Sequence, residues 1–203
     1  NISKIFGELI TLIESSKRIG ASEELRAKLP YSGQNFGVPD NVYIIGTMNT
    51  ADRSIALIDS ALRRRFSFVE MQPDSSTLRD VFVDDVDIAK MLDTINKRIT
   101  VLLDREHTIG HSYLLPLKKS ATIETLAEIF ENSIVPLLQE YFYDDYEKIR
   151  LVLGDNKKTD DSTCFIVKKT DTVDLFGGAE IDFPEYYEVN REAFKMIEAY
   201  RQM

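Results

Sequence analysis

The chain has 203 residues, 43% of them hydrophobic, enough for one ordinary domain or for a core fragment with a smaller companion. Its single cysteine, Cys164, excludes an internal disulfide, its two histidines, His107 and His111, form no zinc-ligand pattern with it, and no apolar run approaches the roughly 20 residues that cross a bilayer. A formal charge of −9 argues against a surface that grips phosphates, so any contact with duplex DNA is expected from another domain or subunit, and a cytoplasmic protein without membrane contact is the simplest expectation.

From Asn1 to Lys17, the apolar residues Ile2, Ile5, Phe6, Leu9, Ile10, Leu12 and Ile13 recur at helical spacing and predict an amphipathic helix. Between Gly20 and Asp40 the runs Pro30-Tyr31-Ser32-Gly33 and Phe36-Gly37-Val38-Pro39-Asp40 carry turn and hairpin chemistry. Asn41 to Thr47 is almost wholly apolar, rich in β-branched and aromatic residues, and predicts a strand buried on both faces of a parallel sheet. A polar turn follows from Met48 to Ser54, then a helix from Ile55 to Arg64, a second strand from Phe66 to Met71, and a break at Gln72-Pro73-Asp74. Strand, turn, helix and strand in this order suit the end of an α/β sheet, where ligands bind beyond the carboxyl ends of the strands.

Ser75 to Leu153 reads as mainly helical, with helices at Thr77–Val83, Asp87–Leu103 and Ala121–Tyr143, the last restarted or kinked at Pro136. Past Gly154, Asp155 to Ser162 is a charged loop, Thr163 to Lys168 a short strand, and Asn190 to Arg201 a final helix with Asn190 as its N-cap. The expected organisation is therefore α/β plus α: residues 1–74 a sheet-bearing core segment, 75–155 a helical subdomain, and 156–203 a small α/β appendage. That appendage reads first as a satellite packed on the helices, and secondarily as a partner-binding surface because of the aromatics at Phe176, Phe183, Tyr186 and Tyr187.

The chemistry concentrates in Gly46-Thr47-Met48-Asn49-Thr50-Ala51-Asp52-Arg53-Ser54, followed by Ile58-Asp59-Ser60-Ala61-Leu62-Arg63-Arg64-Arg65-Phe66. A carboxamide at a strand end both donates and accepts hydrogen bonds, so Asn49 can hold the water that attacks a γ-phosphate, and Asp52 can orient it. Successive arginines at a helix end cannot all face one partner, yet one or two of them can reach a phosphate held by a neighbouring subunit. Each feature alone has a plainer reading: Asn and Asp are common turn residues, and arginines in a last helical turn favour its dipole. Their combination in one continuous order points to nucleotide chemistry.

This order resembles the sensor-one strand and arginine-finger helix of AAA+ proteins. The Met-Asn-Thr-Ala-Asp-Arg-Ser run, residues 48–54, is similar to the signature of the McrB family. The resemblance extends to about Asp155, through Thr108-Ile109-Gly110-His111-Ser112-Tyr113 as a lid motif and Ile134 to Phe142 as a last lid helix. It implies the C-terminal part of an AAA+ P-loop core, downstream of Walker B, followed by a helical lid. It also implies GTP with Mg2+ as cofactors in the whole subunit, a hexameric ring of like subunits, and an McrC-like nuclease partner in a modification-dependent restriction system. By the same resemblance Asn49 is the sensor, Asp52 the acidic end of the signature, and Arg64 and Arg65, with Arg63 behind them, the finger residues. Thr50, Arg53 and His111 are then nucleotide-shell residues, although a histidine beside apolar residues is more often a structural hydrogen-bonding group.

The sequence contains no Gly-x-x-x-x-Gly-Lys-[Ser/Thr] loop, so the chain by itself is expected not to hydrolyse nucleotide. A central strand whose neighbours lie elsewhere is expected to expose an edge, or to recruit a second copy. Two other readings compete: a MoxR-like or dynein-related ATPase that remodels proteins, using ATP, and an interaction module that keeps the shape without handling nucleotide.

Overall fold

The structure is a computed structural model and describes residues 7, 9–49, 60–169 and 185–203. The chain divides into two compact units, Asn1–Met71 and Gln72–Met203.

In the first unit, helix α1 (Leu9–Leu12) runs into a 3-10 turn at Ser15–Lys17, so the described part of the expected N-terminal helix is shorter than its periodicity suggested. Leu12, Ile13 and Val38 are buried, with Leu9, Ile10, Ala27 and Phe66 packed against them. The predicted hairpin forms between β1 (Ala27–Lys28) and β2 (Asn35–Phe36), antiparallel, with Ala27 opposite Phe36. Its turn puts Gly33 at φ 67°, which glycine enters without steric cost. Arg18 ties the loop down by donating to the carbonyls of Ile13 and Pro39, each at 3.2 Å, and to that of Val42.

The two expected parallel strands do not form. Residues 42–49 and 67–71 are irregular and exposed, with Tyr43 88% and Ile45 94% accessible in the first segment and Val69 80% in the second. Such a strand needs hydrogen-bonding neighbours and a covering layer, and no described strand pairs with either segment. Helix α2 (Ser60–Arg63) lies between them; residues 50–59, the rest of the expected turn and helix, fall outside the described residues.

The second unit carries the main core. Asp74 caps a 3-10 turn at Ser75–Leu78, and the chain then forms a tight hairpin of β3 (Phe82–Val83) and β4 (Val86–Asp87) where a helix was expected. Val81-Phe82-Val83 favours extended backbone, and Asp80 and Asp84 take positive φ, which aspartate tolerates better than most residues. Helix α3 (Ile88–Leu102) matches expectation closely, capped by Asp87 and burying Ile88, Met91, Leu92, Ile95 and Ile99 along one stripe. Helices α4 (Ile123–Ile129) and α5 (Val135–Tyr141) are joined by a π-helical turn at Phe130–Ile134. Pro136 follows that wide turn at the start of α5, where its missing N–H and its ring are accommodated, as its place in the sequence suggested.

Helix α6 (Tyr146–Leu153) starts at Asp145 and stops at Gly154, which is left-handed at φ 77°. Strands β5 (Ile166–Lys169) and β6 (Tyr186–Val189) pair antiparallel, and helix α7 (Ile197–Arg201) ends the unit. Asn190 does not cap a helix. Its amide side chain instead donates to the carbonyls of Ser162 at 3.0 Å and Asp161 at 3.4 Å, and the helix begins only at Ile197. Phe165, Phe194 and Tyr200 stack on and around Phe130, so residues from this last stretch share one core with α3–α6. Arg201 also reaches back to the β3–β4 turn, its Nε lying 2.8 and 3.1 Å from the two carboxylate oxygens of Asp85.

The loop after Gly154 is charged and mostly exposed, but two of its charges are not solvated. Asp155 is 1% exposed, and the side chains of Asp155 and Lys158 are completely buried against each other at 2.7 Å. Asp155 also accepts the amides of Phe165 at 3.1 Å and Ile166 at 2.8 Å. Lys158 donates to the Thr163 carbonyl and lies 4.0 Å over the Phe165 ring. Burial pulls the Lys158 pKa down, opposed by Asp155.

Candidate functional site

Two clusters carry the residues singled out from the sequence. In the first unit, Asn49 is exposed at the end of the irregular 42–49 segment. Thr50, Asp52 and Arg53 lie outside the described residues. Helix α2 delivers the arginines to different fates: Arg63 and Arg64 are exposed, whereas Arg65 turns inward and pairs with Glu14, leaving its side chain 14% accessible. The amides of Arg65 and Phe66 both donate to the Leu62 carbonyl, which fixes this turn. A guanidinium committed to a carboxylate of its own unit is less available to any other partner, which leaves Arg63 and Arg64 as the arginines of this cluster at the surface.

The second cluster is the loop from Asp104 to Tyr113. Asn96, on α3, clasps the loop at both backbone atoms of Ile109: the Ile109 amide donates to Oδ1 at 2.6 Å, and Nδ2 donates to the Ile109 carbonyl at 2.9 Å. Asp104 Oδ1 accepts the amides of Glu106 and His107, and His107 Nδ1 donates to it at 2.7 Å. The His107 ring meets Tyr141 edge-on with centroids 4.9 Å apart. Burial raises the Tyr141 pKa, which keeps the hydroxyl protonated.

His111 opens the 3-10 turn His111–Lys118. Its Nδ1 accepts the Asp74 amide at 3.0 Å, so in the neutral ring the proton sits on Nε2. Both histidines thus engage a partner through Nδ1, His107 as donor and His111 as acceptor. Hydrogen bonds from Ser76 hold the Asp74 carboxyl below its usual range. Tyr113, two residues on, is 40% exposed. Asn96, Asp104 and His107 did not stand out in the sequence, although an asparagine inside an otherwise regular helix is a weak signal of a side chain with a task.

The second unit is thus mainly helical, with the loop after α3 pinned by Asn96. Residues 87–150 match the family model described as McrB, alpha-helical lid domain. The chain is also 40% identical over 163 residues to the Type IV methyl-directed restriction enzyme EcoKMcrB subunit of Escherichia coli (strain K12), an alignment covering 71% of this chain. The lid domain at 87–150 is of the McrB type, and the chain spans 35% of the length of that relative.

Proposed function

We propose that this chain is the part of a GTP-hydrolysing AAA+ motor subunit that carries the sensor, the arginine finger and the lid, within a modification-dependent DNA restriction system. The observation that carries this reading is the McrB-type lid at 87–150, directly downstream of the Met48–Ser54 run and the Arg63–Arg65 cluster. In this reading Asn49 positions the attacking water and Asp52 orients it. Thr50 and Arg53 belong to the nucleotide shell. Arg64 reaches the phosphates of an adjoining subunit in a hexameric ring, and Arg65 braces the turn that presents it. His111, with Nδ1 engaged, has its Nε2–H to offer the nucleotide. Catalysis by such groups is positioning and electrostatic stabilisation of the transferring phosphoryl group.

The phosphate cradle and the Mg2+ ligands come from elsewhere in the subunit. The sequence has no P-loop to supply them, and no group of three His, Cys, Asp or Glu that could hold a metal occurs among the described residues. The chain alone is therefore inactive. In the cytoplasm the assembled motor drives an McrC-like nuclease subunit, with DNA held by another domain or subunit.

The test is nucleotide turnover by the full-length subunit, GTP against ATP, with Asn49→Ala and Arg64→Ala. Preference for GTP, lost in both variants and restored for Arg64→Ala when mixed with Asn49→Ala subunits, supports the reading. Turnover of ATP alone moves the case to a remodelling ATPase, and no turnover in any form moves it to an interaction module.

A further inference from the structure

Helix α3 extends one polar side chain into the loop that follows it. Asn96 sits among the buried Leu92, Ile95 and Ile99 and holds both backbone groups of Ile109: its Oδ1 accepts the amide at 2.6 Å and its Nδ2 donates to the carbonyl at 2.9 Å. A carboxamide offers an acceptor and a donor side by side, and the two backbone partners fix which way it faces. Ile109 is 1% exposed, so its amide and carbonyl have no water to turn to if the clasp opens. Before Ile109, the Asp104 carboxylate accepts the amides of Glu106 and His107, and the Thr108 hydroxyl donates to the Arg105 carbonyl at 3.0 Å; those bonds lie within the loop, and the clasp joins it to α3. After Ile109, Gly110 leads into the turn His111–Lys118, and its carbonyl accepts the Tyr113 amide at 3.3 Å. The clasp therefore ends two residues before His111.

We propose that Asn96 is a positioning residue for nucleotide binding: by clasping Ile109 to α3 it fixes where the turn at His111 begins, and so where the His111 Nε2–H points. The inference rests on the proposed function, in which that N–H meets the nucleotide, and it adds a residue that lies outside the sequence motifs. A leucine fills the space of the asparagine and neither accepts nor donates. An aspartate keeps the acceptor but sets a second carboxylate oxygen against the Ile109 carbonyl, which undoes half of the clasp. An N–H that meets the nucleotide before the reaction as well as during it contributes equally to both states, so its displacement raises KM and leaves kcat alone.

The experiment measures GTP turnover by the full-length subunit as Asn96→Leu, Asn96→Asp, His111→Ala and the combined Asn96→Leu/His111→Ala, beside Asn49→Ala. Asn96→Leu is expected to raise KM for GTP roughly tenfold, the scale of one or two lost hydrogen bonds, with kcat held within about twofold. Asn96→Asp should move KM in the same direction by less. In the His111→Ala background the leucine change should add less than about twofold, because two residues that act as one do not add. In this chain by itself, amide exchange read by NMR should quicken at Ile109 in Asn96→Leu while Leu92 stays unchanged. Unchanged KM, full additivity of the two changes, a fall in kcat like that of Asn49→Ala, or unchanged exchange at Ile109 would overturn the proposal. Exchange that quickens equally at Leu92 would overturn it too, by making Asn96 a general stability residue of α3. A wild-type subunit that turns over no GTP defeats the nucleotide reading and this inference with it, whereas each of the other outcomes leaves that reading standing.

Discussion

The two units share one chain but differ in how their backbone is satisfied. In the second unit, helices α3 to α6 close their hydrogen bonds within themselves and bury a continuous core around Leu92, Phe130, Ile149 and Phe165. In the first, full burial among the described residues is confined to Leu12, Ile13 and Val38, while two apolar segments, 42–49 and 67–71, lie exposed. A helix needs only a face to pack against, whereas a strand needs a partner's N–H and C=O groups as well. The same hydrophobicity therefore yields a finished core in one unit and accessible extended chain in the other.

The comparison is broken most severely by attacking the better-packed unit. Phe130→Ala removes the ring around which Phe165 and Tyr200 pack, and should cost about 3–5 kcal/mol in urea unfolding of the second unit. The signal of Tyr31 and Tyr43 in the first unit should be unaffected. Asp155→Ala strands a buried ammonium and two buried amides, and roughly 3–5 kcal/mol should be lost. Lys158→Met should cost less than Asp155→Ala, because Asp155 keeps the amides of Phe165 and Ile166; the reverse order would show that the ammonium, and not the carboxylate, organises this loop.

Smaller effects come from the caps and the surface. Asp87→Ala should cost about 1 kcal/mol by removing the acceptor for the Lys90 amide. The Lys90 amide holds the Asp87 carboxyl below its ordinary range, and hydrogen bonds from Lys148 do the same for Asp145. Because the folded pKa is the lower one, this stabilisation is present above the ordinary carboxylate pKa of about 4 and disappears as pH falls through the folded value. An acid titration of helix content should show that loss in the wild type and less of it in Asp87→Ala. At the bottom of the scale, Arg64→Ala should leave melting unchanged, and Arg65→Ala should cost at most about 1 kcal/mol for the pair with Glu14. A larger penalty for Arg64 would show that it, too, is built into the first unit.

Legibility in the sequence depended on how local each signal is. Helix α3, the restart at Pro136 and the β1–β2 hairpin were readable because periodicity, proline and turn residues are local signals. Residues 77–83 were misjudged as a helix because Asp80 at positive φ breaks what looked like helical spacing. Asp155 and Lys158 read only as part of a charged loop, because nothing nearby in sequence shows the amides of Phe165 and Ile166 converging on Asp155. Asn190 read as a helix cap, but its partners are the carbonyls of Asp161 and Ser162. At the candidate site the basic cluster was visible, but the distinction between Arg64 and Arg65 depended on Glu14, far away along the chain.

The contact between Arg201 and Asp85 has a consequence for how this unit is made. During synthesis the N-terminal hairpin of the unit leaves the ribosome long before its ion-pair partner exists. Phe130 likewise waits for Phe165, Phe194 and Tyr200 to arrive. Helices α3 to α6 therefore emerge as an open, sticky intermediate whose apolar seam stays wet until the final stretch is translated, a window in which a chaperone or a nascent neighbour competes for it. A stalled or clipped product lacking residues 193–201 would be caught permanently in that window.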